Sequence, residues 1–299
     1  MIADEGPHEP GPEPFWNESW YFDFAEADGS LGGYVRVGLN PNRKTCWYLL
    51  CLVGKDSATV RIDDKQLPLG GLAVTTEDYR FDHVPVGTDG TWRIHGAGRA
   101  ESADPVDLLA GKSGTPVDIA VDLTWTVDGL PFTYDVTTRY EIPCLVSGEV
   151  TVDGVRHVVR GVEGQRDHSW GVRDWKQAGW CWAAARLGDG TRLHVTDVCF
   201  PTFRYTTGYL QDGAIEVVTD VAREDAFAAN GLPLSSRLVL EPSGLEVTAT
   251  AIAHGPTLLH DDDAGTWPFP RALAEFTSAR GTGVGWIEWN RNDQVVPPR

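Results

Sequence analysis

No stretch of this 299-residue chain approaches 18 uninterrupted apolar residues, so no membrane-spanning helix is expected. The opening MIADEGPHEPGPEP has neither a basic region nor an apolar segment, so no export signal is read there and a cytoplasmic protein is expected. Asn17-Glu-Ser19 is formally a glycosylation sequon, but nothing else points to secretion. Basic residues are few. Twenty-five Lys and Arg against 43 Asp and Glu leave a net charge of −18, which repels phosphate backbones and anionic lipid alike and makes nucleic acid and membranes poor partners. The five cysteines (Cys46, Cys51, Cys144, Cys181, Cys199) contain no C-x-x-C pair, which argues against zinc and dithiol chemistry and for small buried apolar residues. There is no G-x-S-x-G elbow and no P-loop. Gly281-Thr-Gly283-Val-Gly285 lacks the helix of a dinucleotide fingerprint and reads as a strand with close backbone packing. His260-Asp261-Asp262-Asp263 lacks the helix and second acidic cluster of a diphosphate–Mg²⁺ site and reads as a solvated loop. No metal and no cofactor are expected.

What the chain does have is a globular composition, 41% apolar and 23% charged, with length enough for one large or two ordinary domains. Thirty-three Gly, 19 Pro and 12 Trp favour strands and turns over long helices. Strict alternation runs from Val117 to Val127, then Asp128-Gly129, then Phe132, Tyr134, Val136, Thr138 and Tyr140, which predicts a hairpin. Similar alternation recurs at 34–39, 58–62, 155–162, 193–199, 237–240, 245–253 and 284–289. Helical periodicity is confined to short pieces at 223–229 and 271–276. The expectation is an all-β protein of two antiparallel barrels or sandwiches packed together, without internal repeats. Residues 1–14, with four prolines, form an extended arm; 15–150 form one β-domain and 151–299 a second that carries the site, the break falling where Pro143, Gly148 and Gly154 interrupt the pattern.

Chemistry concentrates in Arg166-Asp167-His168-Ser169-Trp170-Gly171-Val172-Arg173-Asp174-Trp175. An extended chain places Arg166, His168 and Trp170 on one face and Asp167 and Ser169 on the other. Either a salt-bridged corner forms, with Arg173 paired to Asp167 or Asp174, or His168 and Trp170 line a cavity. In Leu193-His-Val195-Thr-Asp197-Val-Cys199 the alternation puts Asp197 on an apolar face, where burial would raise its pKa and suit it to general-acid work, unless Arg or backbone N–H groups anchor it. His194 faces the other way and is expected at the surface. Trp180 and Trp182 share a face that is either core or cavity wall, and the aromatic cluster Phe15, Trp16, Trp20, Tyr21, Phe22 and Phe24 is expected to cap the first domain.

His168-Ser-Trp170 followed 27 positions later by Asp197 resembles the carotenoid 1,2-hydratase (hydroxyneurosporene synthase) superfamily, which includes kievitone hydratase and fungal Diels–Alderases. The R-D-H-S-W-G-x-R-D-W string is also similar to uncharacterised actinobacterial relatives. This resemblance implies two lipocalin-like barrels with the active site in a large apolar cavity. It carries His168, Trp170 and Asp197 over as site residues. The superfamily pattern places a Tyr two residues before that Asp, where this chain has Val195, and loss of the hydroxyl weakens hydration as the specific reaction.

The leading expectation is a cofactor-independent acid catalyst, a hydratase, dehydratase, isomerase or cyclase acting on an apolar isoprenoid (terpenoid) or polycyclic small molecule, as in secondary metabolism. Asp197 is the expected acid and His168 its partner, with Trp170, Trp175 and Trp182 stabilising a carbocation and Arg166, Arg173 and Val195 lining the substrate. A lipocalin-like carrier, with Arg166 or Arg173 pairing a lipid head group, and a Diels–Alderase-type pericyclase stand beside it. A monomer or homodimer is expected.

Overall fold

The computed structural model describes residues 4–261 and 265–291. The strands are β1 (Trp16–Ala25), β2 (Gly32–Asn40), β3 (Thr45–Val53), β4 (Thr59–Pro68), β5 (Ala73–Thr75), β6 (Tyr79–Val86), β7 (Thr91–Ala103), β8 (Thr115–Val127), β9 (Phe132–Thr133), β10 (Arg139–Val152) and β11 (Val155–Val172). There follow β12 (Gly179–Arg186), β13 (Arg192–Cys199), β14 (Arg204–Asp212), β15 (Ala214–Val218), β16 (Asp220–Phe227), β17 (Pro233–Glu241), β18 (Leu245–His254), β19 (Thr257–Asp261), β20 (Gly265–Phe269), β21 (Arg271–Ser278) and β22 (Gly281–Asn290). Among the described residues the helical elements are α1 (Pro105–Leu109), capped by Asp104, and a 3₁₀ turn at Pro41–Arg43; no helix is long and apolar enough to cross a membrane.

The first sheet runs β4-β3-β2-β1-β11-β10-β8-β7-β6-β5, with β9 added on β10, and the β4–β7 pairing closes it into a barrel. The second runs β15-β14-β13-β12-β22-β21-β18-β17-β16, and β19 and β20 form a separate hairpin. All pairings are antiparallel, and the architecture is the double lipocalin-like one. The chain changes sheets between Val172 and Gly179. The break expected near residue 150 is therefore a hairpin turn, since β10 and β11 pair from Val152↔Val155 back to Arg139↔Ser169. Proline and glycine punctuate a tight turn and a domain boundary alike, and local sequence does not separate the two.

Most predicted strands are present, with two corrections. Residues 223–229 and 271–276 are not helical; they lie largely in β16 and β21, where ladder pairing with β17, β18 and β22 overrides a short 3.6-residue coincidence. The hairpin predicted around Asp128-Gly129 also differs. β8 pairs with β10 through Val127↔Cys144, and residues 132–133 fold back onto β10 as the short β9. Gly283 and Gly285 behave as expected, because a Cβ at either would collide with the β12 carbonyls of Arg186 and Ala184. All five cysteines are unpaired and buried or half-buried. His260 and Asp261 belong to the β19 strand, and Asp262 and Asp263 lie outside the described residues.

Each barrel has its own core. Trp20, Phe22, Phe24, Tyr48, Phe81, Trp92 and Trp125 fill the first, so half of the N-terminal aromatic cluster forms core rather than a cap. Small residues of β12 and β21 (Ala183, Ala185, Ala272, Ala274), with Val195, Leu238, Phe276 and Trp289, fill the second. The outward faces of β1, β2, β3, β10 and β11 then pack against those of β12, β13, β14, β21 and β22, burying Tyr21, Tyr34, Leu49, Trp182, Leu273 and Trp286 in a seam. Tryptophan N–H groups tie across it, from Trp286 to the Phe24 carbonyl at 2.9 Å and from Trp182 to Glu141 at 3.1 Å. His194, expected at the surface, is fully buried here, because the face opposite the second core is covered by the first barrel.

Arg271 is buried against Tyr34 with its guanidinium 3.8 Å from the ring centroid, bonds the Tyr21 hydroxyl and pairs with Glu288 at 3.1 Å. Arg271→Met should cost about 3–5 kcal/mol in urea unfolding, because it strands buried partners. Arg237→Met, which breaks an exposed pair with Glu246, should cost less than about 1 kcal/mol. Burial, aided by the nearby Arg139 charge, pushes His194 down from 6.5 to about 3. Between those values the unfolded chain binds a proton there and the folded chain does not, so stability falls as pH drops through the window. His194→Gln should make that fall shallower without abolishing it, since His83, pushed down to about 4 by burial, titrates in the same sense.

Candidate active site

Alternation along β11 sends Arg166, His168 and Trp170 into the first barrel, as the sequence indicates, and Gln165, Asp167 and Ser169 into the seam. His168 is fully buried. Its ring stacks on Trp20 (centroids 4.5 Å apart), meets Tyr140 edge-on at 5.6 Å and lies 4.9 Å from Trp170. Nδ1 lies 2.6 Å from the Asp4 carbonyl oxygen, which can only accept, so Nδ1 carries the hydrogen. Nε2 lies 2.8 Å from Oε1 of Glu18 on β1, a contact that requires one proton between the two atoms. Burial pushes Glu18 up, but hydrogen bonds from His168 and His8 outweigh it and hold the carboxyl below its usual range.

Asp4 and His8 belong to a proline-rich arm without strand pairing that crosses the barrel mouth. His8 stacks on Trp170 at 4.0 Å and its Nδ1 also contacts Glu18 Oε1, at 2.7 Å. Glu5 accepts from Arg166 (2.6 Å) and from Trp92 Nε1 (2.8 Å). Donor atoms of His8, Glu18 and His168 lie within 4.8 Å of one another, so among the described residues these three could gather a divalent cation. Beside the arm opens a cleft of about 840 Å³, walled by Asp4, Tyr134, Arg139, Tyr140 and Trp170.

A second buried network lies behind Tyr134. Its hydroxyl sits 2.7 Å from His194 Nε2 and 2.7 Å from Thr196 Oγ1. His194 Nδ1 donates to the Ala183 carbonyl at 3.0 Å, which leaves Nε2 to accept from Tyr134. Glu141 accepts from Arg139, Gln165 and Trp182, and Arg139 also reaches Asp167 at 2.7 Å.

The expected Asp197–His168 partnership does not form, because the two residues face the interiors of different barrels. Asp197 does lie on the apolar face of β13, but it accepts from Arg204 (2.5 Å), Thr206 (3.2 Å) and Arg223 (3.1 Å). Arg204 and Thr206 are on β14 and Arg223 on β16, at the far end of the same sheet, so Asp197 is an ionic staple that draws the curled sheet together. Two guanidinium groups anchor it there, away from His168. Val195 is core of the second barrel, away from the cleft. Trp182 is in the seam. Trp175 and Arg173 lie on the link between the sheets, against Trp47 and Arg36; Arg173 pairs with neither Asp167 nor Asp174. Of the residues predicted for the site, only Arg166, His168 and Trp170 are together.

Glu18 was missed although its signal was present. In Trp16-Asn-Glu18-Ser-Trp20-Tyr-Phe22-Asp-Phe24 alternation puts a carboxylate on an aromatic face, by the same reasoning that singled out Asp197.

Three solved structures share this fold. A protein described as an AttH from Nitrosomonas europaea aligns with a TM-score of 0.63 at 16% identity, over 96% of this chain and 99% of that one. CghA aligns at 0.60 and 15% identity, over 92% and 87%. Kievitone hydratase from Nectria haematococca aligns at 0.53 and 14% identity, over 93% and 90%. At these identities the likeness shows a common fold and nothing more. No curated protein sequence matches the chain. One family model covers residues 1–293, and the chain belongs to that family, the domain of unknown function DUF7064.

Proposed function

We propose that this protein is an acid–base enzyme of the hydratase, dehydratase, isomerase or cyclase kind, acting on an apolar isoprenoid or polycyclic small molecule at the mouth of the first barrel. The observation that carries this reading is the 2.8 Å contact between His168 and Glu18, buried among aromatic rings beside an open cleft. The proton between Nε2 and Oε1 moves to an alkene carbon, or to an allylic hydroxyl whose C–O bond then breaks as water leaves. The cation so formed faces the rings of Trp20, Tyr140 and Trp170. Loss of a proton from a neighbouring carbon to the pair completes an isomerisation. Capture of water, whose proton returns to the pair, completes a hydration; the reverse sequence is a dehydration. Because Asp4 and His8 sit on the pair, substrate reaches it when the arm lifts, and an arm of prolines without ladder bonds is suited to that. The shared fold of a hydratase agrees with this reading.

The test is native mass spectrometry of wild type, His168→Asn, Glu18→Gln and Asp197→Asn, followed by extraction of the bound small molecule and turnover assays on it. His168→Asn and Glu18→Gln should hold a molecule that differs from the wild-type one by the elements of water or by isomeric form, and turnover should fall about 10²–10⁴-fold. Asp197→Asn should keep wild-type conversion yet lose about 2–3 kcal/mol of stability, because its partly exposed guanidinium partners are left without a full charge. The same unaltered molecule in all four proteins would identify a carrier instead, and loss of conversion in Asp197→Asn alone would return the acid role to that residue.

A further inference from the structure

The rim of the seam holds a different site. Arg36 projects from β2, on the face away from the first core, and is 8% exposed. Gly38 makes room for it: a Cβ there would collide with the guanidinium. Trp175 and Trp47 flank the group, with Cζ 5.1 and 5.8 Å from their ring centroids, and the two indoles meet edge-to-face at 5.6 Å. Rings hold a guanidinium in place but satisfy few of its five N–H donors. Arg36 makes no ion pair with the described residues, and its buried Nη1 has no hydrogen-bond partner. Asp167, the carboxylate that acts on it most strongly through space, is hydrogen-bonded to Arg139.

Arg173 repeats the pattern from the link between the sheets. Its buried Nε has no partner, and its side chain has one long contact, 3.4 Å to Thr137 Oγ1. It too lacks an ion pair among the described residues. Asp174, the nearest acid in sequence, accepts instead from Gln177 and the Lys176 backbone. Both guanidiniums line one cavity of about 30 Å³, with Arg43, Trp47, Trp175 and the Asp174 that Gln177 engages. Burial lowers both arginines to about 10, so both are charged at neutral pH. A chain with 43 acidic residues has no shortage of partners for its 25 basic ones, and a buried Arg36 and a half-buried Arg173 without an ion pair among the described residues are costly to the fold.

We infer that Arg36 and Arg173 form a binding site for a carboxylate, the group that accepts from two guanidiniums and fits this volume between indole walls. A free small acid and the head group of a larger apolar acid share that chemistry. The site is independent of the His168–Glu18 pair. It draws on β2, β3 and the link between the sheets and on none of the catalytic residues.

Two measurements on the full chain test it. In ligand-free protein, Arg36→Met keeps the packing against Trp47 and Trp175 while removing an unpartnered buried charge, so its Tm should rise by about 2–4 °C. A Tm that falls would mark Arg36 as a structural cation and overturn the assignment. In the second, Tm is followed against sodium acetate and sodium benzoate. Wild type should gain Tm saturably with at least one of them, and Arg36→Met should need at least tenfold more of either, the variant serving as the control for ionic strength. A tenfold preference for benzoate would assign the site to the head group of a larger acid, and equal midpoints to a free small carboxylate. No saturable gain with either salt, or equal gains in wild type and variant, would overturn the proposal.

Discussion

The constraint on which the rest of this structure depends is that several strands are buried on both faces. A barrel normally keeps one face of each strand for its core and gives the other to water. Here β1, β10, β11 and β13 lie between a core and a second barrel, and their outward residues are largely polar. Tyr21, Asp23, Glu141, Gln165, Asp167, His194 and Thr196 are all buried. Each therefore needs a partner inside the protein. Tyr21 donates to Asp23 (2.9 Å), Asp23 accepts from the Gln165 backbone (2.8 Å), and Gln165 reaches Glu141 and Tyr209. The seam is a chain of mutually satisfied groups, and its directional bonds fix how one barrel sits on the other in a way that apolar packing alone would not.

That arrangement explains which expectations were legible in the sequence. Alternation is a local property, so the strands, the all-β class and the inward direction of Arg166, His168 and Trp170 could be read directly. What alternation cannot say is which barrel, or which side of a sheet, an inward face belongs to. Asp197 and His168 both lie on apolar faces, yet of different barrels, so the inferred dyad was right about each environment and wrong about the pairing. His194 was placed outside because its neighbours Leu193 and Val195 are core; the opposite face of β13 is covered only because the first barrel, from earlier in the chain, packs on it. The helical readings at 223–229 and 271–276 failed for a related reason. A few residues of 3.6-residue spacing weigh less than a full ladder of strand pairing.

The candidate active site shows the same division between local and long-range information. His168 is placed by β11, and its orientation by Trp20 and Tyr140 from neighbouring strands. Its carboxylate comes from β1, 150 residues away in sequence and one strand away in space. The register Glu18↔Trp170 and Trp20↔His168 puts Glu18 diagonally beside the imidazole on the same face, within reach of a long side chain. Only pairing between first and last strands of the sheet creates that register, and it is not encoded within either segment.

The arm and the link between sheets then differ from the seam in an instructive way. The arm brings its own acceptors: Glu5 neutralises Arg166, and the Asp4 carbonyl takes the His168 proton donor, so the barrel mouth is balanced while the arm is down. Around Arg36 and Arg173 the described residues supply no such compensation, although Asp167 and Asp174 are close in sequence or space and engaged elsewhere. In a seam where nearly every polar group finds a partner, unsatisfied cations are not explained by a general tolerance for buried charge. The fold holds Arg36 with indole faces and a glycine that makes room, which positions its donors without using them. Such an arrangement lowers stability in the empty state and is recovered when an acceptor arrives, which is the thermodynamic signature of a binding site rather than of a structural contact.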